Sequence, residues 1–487
     1  MKTGKALVGG RWRETAERFA VTDPATGETI AEVAECGGDL TVEAVDAASA
    51  ALPGWRAMPA HERAAIMRRA AALLAERAAA IGAIMTAEQG KPLAEATGEV
   101  VAGADHLLWS AEETRRVYGE TIPSTGTDTR IWLLPEPVGV VAAITPWNFP
   151  VSMITRKLGP ALAAGCTVVL KPSELTPMSA IAVAECLTEA GFPPGVFNLV
   201  TTARPRRFAE AVMADPRVRK ISFTGSTAVG KELIRQSADD VKRLSVELGG
   251  HAPVLVFPDA DVAAAAAGVA RSKFMNAGQA CTSPNRIYVH ESVAAEFVDE
   301  LVKLAEAVTV GGGAEPGVTM GPLIDDRAVA KVRRHIDDAL AHGARLATTR
   351  REGPGRFCPP AVLTGVTDDM LVCREETFGP VAPVLTFGPG SGDGGEAEGD
   401  EGVEAVLARA NATPYGLAAY LWTRDLSRVV RVCEELQFGI VSVNGAPLAP
   451  PQGPFGGIKG SGYGREGGHH GVEDFVEYKY VSVGLGR

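Results

Sequence analysis

Three side chains in this sequence stand in settings suited to nucleophilic chemistry. Cys281 closes the run Asn276-Ala277-Gly278-Gln279-Ala280-Cys281 and is followed by Thr282-Ser283. Glycine, glutamine and two hydroxyls around a thiol are unlike a core strand, where most single cysteines sit as small hydrophobes. A thiol has an unperturbed pKa of about 8.5, and its thiolate is the nucleophile. Glu247, 34 residues upstream, opens Glu247-Leu248-Gly249-Gly250. A lone glutamate is usually a solvated surface charge. Beside glycines, which leave space and free the backbone, a carboxylate at a strand end can swing toward a site and act as a general base. Asn148 sits in Pro146-Trp147-Asn148-Phe149-Pro150. Two prolines make that a rigid turn, which suits a preorganised amide donor for an oxyanion; losing one such donor costs about 10²–10³ in rate.

Together and in this order, the three segments resemble the NAD(P)-dependent aldehyde dehydrogenase superfamily. The resemblance runs from about residue 8 to residue 485. It is strongest to the succinate-semialdehyde dehydrogenase branch, in residues 144–165, in Gly321-Pro322-Leu323-Ile324 and in residues 467–485. It implies that Cys281 adds to an aldehyde as a thiohemiacetal, that a hydride leaves for a nicotinamide, and that the resulting thioester is hydrolysed. Glu247 would be the base, and Asn148 with the Cys281 N–H would hold the oxyanion. A CoA-acylating relative does not need the base, and a non-catalytic relative would have lost the nucleophile or the oxyanion donor. All three residues are present, so the expected activity is oxidation of an aldehyde to a carboxylate.

The sequence has no G-x-G-x-x-G. Phe223-Thr224-Gly225-Ser226-Thr227-Ala228-Val229-Gly230-Lys231 instead reads as a strand end, two spaced glycines and a helix start, whose N–H groups can receive a pyrophosphate. The stretch mimics a P-loop, but Glu232 stands where a Mg²⁺-binding Ser or Thr is needed, which excludes nucleotide hydrolysis. The resemblance implies a cofactor site lined by Ile144, Thr145, Pro146, Trp147, Phe223, Thr224, Gly225, Ser226 and Leu248. Lys171, Ser173 and Glu174 would meet the adenosine ribose, and Glu376 and Phe378 of Glu375-Glu376-Thr377-Phe378-Gly379-Pro380 the nicotinamide end. A carboxylate at Glu174 repels a 2′-phosphate, so NAD is expected, with NADP as the alternative. Arg206 and Arg207, in a stretch where the family is usually glycine-rich, pull toward NADP. Pro454-Phe455-Gly456-Gly457-Ile458-Lys459 and Ser461-Gly462-Tyr463-Gly464-Arg465-Glu466 match the family's C-terminal signature, the second read as glycine-rich packing between domains.

Semialdehydes carry a distal carboxylate, which arginine forks bind. Arg156 matches one such arginine, and the resemblance sets Ser283 on the substrate side with it. Met275 stands where the branch has its second arginine, which removes a contact worth about 1.5–3 kcal/mol. Ser283 replaces a second cysteine seen in some members, which excludes a disulfide switch at the nucleophile. The Pro-rich residues 445–453 also depart from the branch. Succinic semialdehyde or a related semialdehyde is the expected substrate, with a less charged, larger or aromatic aldehyde as the alternative. No metal site is expected.

The elements that must position these groups follow from periodicity. Residues 40–95 are Ala-rich with helical spacing, as in Val42, Val45, Ala48 and Leu52, then Ala65, Met67, Ala71, Leu74 and Ile81, and Asp39 or Thr41 is the expected cap. Residues 130–134 read as a strand, a proline break follows, and 138–145 form a second strand. The second is apolar throughout, as a strand covered on both faces is. Strands at 167–170, 196–200 and 220–223 alternate with helical stretches, so a doubly wound parallel sheet is expected over 138–247. A second α/β pattern begins at Val254-Leu255-Val256 and continues through 286–290, a helix at 293–307, and 382–387. Residues 478–483 alternate as a terminal strand. With no obvious partner nearby, it pairs either across a subunit interface or as a local edge. Residues 388–404, glycine-rich and acidic, read as an exposed flexible loop.

By resemblance these patterns form an α/β, aldehyde-dehydrogenase-like chain. A Rossmann-type cofactor domain spans 1–123 and 142–247, and an α/β catalytic domain spans 248–441. Residues 442–472 return to the cofactor domain as an active-site loop. A β bridging element of 124–141 and 473–487 pairs copies into a homodimer or homotetramer. Cofactor and nucleophile would meet between the two domains.

Bulk properties agree with a soluble enzyme. At 487 residues, two or more domains are expected. Hydrophobic content of 46% with 22% charged is that of a globular protein. A net charge of -11 argues against a nucleic-acid partner. No apolar run is long enough to span a bilayer, and the start of the chain lacks the apolar core of a signal peptide, so no membrane partner and a cytoplasmic location are expected. The seven scattered cysteines, with no C-x-x-C, fit reduced thiols.

Overall fold

The computed structural model describes residues 2–349, 353–388, 401–445 and 449–486. Two large sheets carry the architecture. The first has eight strands in the order Gly462–Tyr463, Arg243–Glu247, Val218–Thr224, Val140–Ile144, Thr167–Lys171, Phe197–Leu199, Ala6–Val8 and Arg11–Arg13. Its five middle strands run parallel, and the antiparallel pairings fall at the two edges.

Strand Val140–Ile144 explains why both faces are covered. Val140 and Ala142 enter one apolar cluster with Ala44, Val45 and Ala48 of helix Gly38–Ala57 and with Phe208 and Val212 of helix Pro205–Ala214. Val141 and Ala143 enter another, with helices Leu93–Glu113, Ser152–Ala164 and Pro177–Glu189. Alternate strand residues face opposite sides, so a strand apolar at every position belongs between two helical layers. From this strand the chain steps to Thr167–Lys171 and Phe197–Leu199 on one side. It then returns to Val218–Thr224 and Arg243–Glu247 on the other. The carboxyl ends of Val140–Ile144 and Val218–Thr224 therefore flank a switch point, where sheets of this kind open a crevice.

The chain leaves the first sheet at Glu247 and enters the second at Ala252. The second sheet has seven strands, ordered Arg345–Leu346, Ala361–Thr364, Val381–Phe387, Pro284–His290, Ala252–Val256, Ala418–Trp422 and Ile440–Val443. All its pairings are parallel except that of the short edge strand Arg345–Leu346. Helices Val262–Phe274 and Glu291–Glu306 bury Val269, Phe274, Phe297 and Leu301 against it. Cys281 lies just before its central strand.

A third sheet of three antiparallel strands joins Val476–Gly484 to Thr129–Pro137 and Glu120–Ile122. Of the two alternatives for the terminal strand, the structure shows the local edge: Val476–Gly484 pairs within its own chain along the full length of Thr129–Pro137. One expectation is corrected here. The proline break does not occur: the strand runs through Pro135 to Pro137. Strand Glu120–Ile122 reaches only as far as Leu133, so both prolines lie where the sheet is paired on one side, the setting that tolerates a missing N–H.

Two smaller differences concern helix ends. Helix Gly38–Ala57 starts from Gly37 with no side-chain cap, so Asp39 and Thr41 fall inside its first turn, and the Thr41 hydroxyl donates to the Gly37 carbonyl at 3.1 Å. The acidic stretch 388–404 lies mostly outside the described residues, and its last residues begin helix Glu401–Asn411 rather than a loop. Among the described residues no single helix is long and apolar enough to cross a membrane.

Candidate active site

The nucleophile candidate is presented by a strained turn. Helix Val262–Phe274 ends, and Asn276 (φ 50°), Ala277 (φ 54°) and Gly278 (φ 72°) follow in the left-handed region. For residues other than glycine this costs on the order of 1–3 kcal/mol each. Gly278 has no room for a side chain, because a Cβ there would run into the Gly379 carbonyl. Cys281 itself is half-buried. Its thiol is pushed up to about 12, first by burial and then by the negative charges of Glu376 and Glu247, with Arg156 opposing. In the free protein the proton therefore rests on Sγ.

Asn148 lies in the turn that leaves strand Val140–Ile144. Its Nδ2 donates to the Gln279 carbonyl at 3.0 Å, which spends one of its two N–H donors. Its backbone carbonyl accepts from Asn276 Nδ2 at 3.0 Å, while its side-chain Oδ1 has no partner. The amide is thus tied to the turn that carries Cys281. Glu247, at the end of strand Arg243–Glu247, is buried, and neither carboxylate oxygen has a partner. Burial first, and then the charge of Glu466, raise its pKa well above the ordinary carboxylate value; Lys157, Arg465 and Arg156 oppose. Glu466 Oε1 is held by Lys157 Nζ at 2.6 Å, while its Oε2 has no partner.

A cleft of about 370 Å³ opens at the switch point of the first sheet and reaches Cys281. Of the residues expected from the sequence, Pro146, Trp147, Asn148, Thr224, Gly225, Ser226, Leu248, Cys281, Glu376 and Phe378 line it. Ser226 caps helix Thr227–Gln236, its Oγ accepting from Val229 N at 3.4 Å. Glu376 Oε1 accepts from Gly250 N at 3.0 Å, and burial raises its carboxyl to about 7. Trp147 and Phe378 meet edge to face at 5.7 Å, and Phe378 is itself held at φ 54°. A helix N-terminus, a carboxylate and two aromatic rings on one cleft fit the phosphate, ribose and ring of a dinucleotide.

The other expected residues stand outside that lining. Ile144, Thr145 and Phe223 sit at or just beyond strand ends. Lys171 and Ser173 are buried at the end of the neighbouring strand, and Lys171 Nζ pairs with the half-buried Glu174 at 2.9 Å. Arg156, on helix Ser152–Ala164, is buried. Its guanidinium lies 4.7 Å over the Phe455 ring, and its Nη2 reaches the Ala449 carbonyl at 3.5 Å. Its Nε has no partner, and no carboxylate pairs with it among the described residues. Ser283 is buried with its Oγ unpartnered. Of residues 445–453, 446–448 lie outside the described residues.

The cleft also uses residues that sequence reading passed over. Met153, Leu175, Ile324 and Thr377 contribute apolar or neutral lining, and Arg327 and Lys331 come from helix Asp326–Ala341. The spacing of Arg327 and Lys331 on one helical face was a readable signal. Nothing local marked Met153 or Leu175. Among the described residues no His, Cys, Asp or Glu cluster could hold a metal ion.

Residues 12–481 match the model of the aldehyde dehydrogenase family. The chain is 48% identical over 485 residues to a succinate-semialdehyde dehydrogenase [NADP(+)] of Escherichia coli, covering 99% of this chain and 98% of that one. It is 48% identical over 484 residues to a 3-sulfolactaldehyde dehydrogenase of Pseudomonas putida, with 99% and 97% covered. An aldehyde dehydrogenase structure from Brucella melitensis biovar abortus superposes with a TM-score of 0.95 at 46% identity, covering 99% and 98% of the two chains.

Proposed function

The chain belongs to the aldehyde dehydrogenase family, oxidoreductases that act on aldehyde groups, and from that premise we propose that it oxidises a short aldehyde with a distal acidic group to the carboxylate. The observation that carries this reading is the convergence of Cys281 and Asn148 on one cleft, with a buried, unpartnered Glu247 and an uncompensated Arg156 beside it. Both relatives above are named for aldehydes whose far end is acidic, a carboxylate in one and a sulfonate in the other. A buried guanidinium with an unspent Nε donor is the group that such an anion would satisfy.

Cys281 gives up its thiol proton to solvent, and Sγ adds to the aldehyde carbon. The C–O π pair becomes an oxyanion held by the second Asn148 N–H and the Cys281 backbone N–H. On its collapse the C–H hydride would leave for a bound nicotinamide, turning the Cys281 adduct into a thioester. A nicotinamide, when bound, supplies the hydride acceptor. Thr224, Gly225, Ser226 and Leu248 would hold its dinucleotide, with Glu376 and Phe378 at the ring end. Water then attacks the thioester carbon. A C–O bond forms, the C–S bond breaks, and the thiolate leaves. The water proton passes to a carboxylate oxygen of Glu247, whose raised pKa makes its ionised form an effective base.

NAD is the proposed cofactor, because Glu174 sets a carboxylate beside the ribose contact Lys171. The E. coli relative, named for NADP(+), favours the other reading. Glu174→Ser is expected to improve use of NADP relative to NAD; unchanged selectivity would leave the choice to the basic stretch at Arg206 and Arg207. The proposed division of labour assigns the cofactor to 1–123 with 142–247, catalysis to 248–441, and the active-site return to 442–472. Pairing of copies into a homodimer or homotetramer is assigned to 124–141 with 473–487.

The direct test supplies succinic semialdehyde, NAD⁺ and no CoA. NADH should form in the wild type and vanish in Cys281→Ala, with cofactor affinity kept within about twofold. Turnover in that variant, or a requirement for CoA, would refute the reading.

A further inference from the structure

The turn that presents Cys281 is gripped by a stretch far from it along the chain. Helix Ala78–Gln89 ends and helix Leu93–Glu113 begins within a short stretch that lies against the nucleophile turn. Gln89 Nε2 donates to Asn276 Oδ1 at 2.9 Å. Glu95 Oε2 accepts from the Asn276 backbone N–H at 3.0 Å. Lys91 Nζ donates to the Asn148 carbonyl at 2.8 Å and pairs with Glu99 at 2.5 Å, both groups buried. Glu99 Oε1 in turn accepts from Val151 N at 2.9 Å, at the start of the helix that follows Asn148. One stretch therefore ties down both the nucleophile turn and the oxyanion donor.

We propose that residues 89–99 are the positioning element of this site, with Glu95 the residue that holds Asn276 in its left-handed conformation. The inference rests on Cys281 being the nucleophile and goes beyond it, since no group on this stretch touches the reacting atoms. A left-handed asparagine followed by a left-handed alanine persists only where its surroundings over-determine it. The Asn276 side chain is already used on Asn148 and Gln279. Its backbone N–H has the Glu95 carboxylate as acceptor, and hydrogen bonds to a charged group are the strong ones. Without that bond the turn relaxes, and Sγ moves relative to the Asn148 amide. Glu95 is half-buried and can be replaced without opening the core.

The test compares Glu95→Ala with Glu95→Gln, whose amide oxygen still accepts from Asn276. Amide hydrogen exchange of peptides spanning 275–281 reads the turn without any need for aldehyde oxidation. In Glu95→Ala these peptides should exchange faster while peptides elsewhere are unchanged. Its kcat should fall about tenfold, the scale of one hydrogen bond to a charged group, with cofactor Kd unmoved. Glu95→Gln, which keeps the acceptor and loses the charge, should recover part of both. Wild-type exchange and kcat in Glu95→Ala, or no recovery in Glu95→Gln, would overturn the proposal. If the wild type itself does not oxidise aldehydes, the proposed reaction falls, and the exchange comparison still decides the role of Glu95.

Discussion

Cys281 and Glu247 are shaped by the same burial, with opposite demands. Burial keeps the proton on the thiol and raises the pKa of the carboxyl, because neither ionised form is welcome there. A thiol that rests protonated is protected from adventitious oxidants and becomes nucleophilic only when its proton is taken. A glutamate with a raised pKa is the stronger base once ionised. The sign of the resulting pH dependence follows. In the proposed reaction Glu247 works ionised, so steady turnover should fall as pH drops through its raised pKa, at a pH above the ordinary carboxylate range. Glu247→Gln should keep a first burst of NADH, lose about 10²-fold or more in steady turnover, and lose that acid limb. A burst that disappears with the steady rate would mean that Glu247 also takes the thiol proton; an acid limb near pH 4 would mean that burial does not tune it.

At the scale of elements, the turn before Cys281 and the turn after Phe378 are built against each other. The missing Cβ of Gly278 is what lets the Gly379 carbonyl approach. Gly278→Ala combines a left-handed strain with a backbone clash, and the displaced turn carries Glu376 and Phe378. Expected outcomes are a melting temperature lowered by several degrees and an activity loss of about tenfold. Gly98, inside helix Leu93–Glu113 with open space where a Cβ would go, is the contrasting position. Gly98→Ala should raise the melting temperature slightly, by the roughly 0.5–1 kcal/mol of helix preference. Equal effects at the two positions in thermal denaturation would remove the steric explanation.

At the scale of the whole molecule, the third sheet buries little of its own surface. Trp132, Leu134, Tyr478 and Tyr480 are all exposed, and register puts Tyr478 and Tyr480 on one face with Leu133 and Trp132 on the other with Val481. A three-stranded sheet with aromatic residues open on both faces needs a cover. A second copy of the chain is the proposed one. Replacing Trp132 and Tyr480 together by Asp should give a smaller species than the wild type in sedimentation at the same concentration. A wild type that already sediments as a monomer would end that proposal.

Much of this protein was legible in the residue order. Continuous apolar runs such as Val140–Ile144 announce a strand covered on both faces, because period and burial are local properties of the chain. The special backbone around Cys281, Glu247 and Asn148 was legible too, since each is framed by glycines or prolines, and the structure brings Cys281 and Asn148 to one cleft. The prolines after Leu134 misled, because whether a missing N–H matters depends on a neighbouring strand that ends opposite Leu133. The terminal strand's partner, the withdrawal of Arg156 and Glu247 from the cleft wall, and the grip of Gln89, Lys91 and Glu95 on a turn far along the chain were decided by tertiary structure alone. Desolvation and hydrogen-bond pairing are set by what packs nearby in space, and no spacing along the sequence encodes that distance.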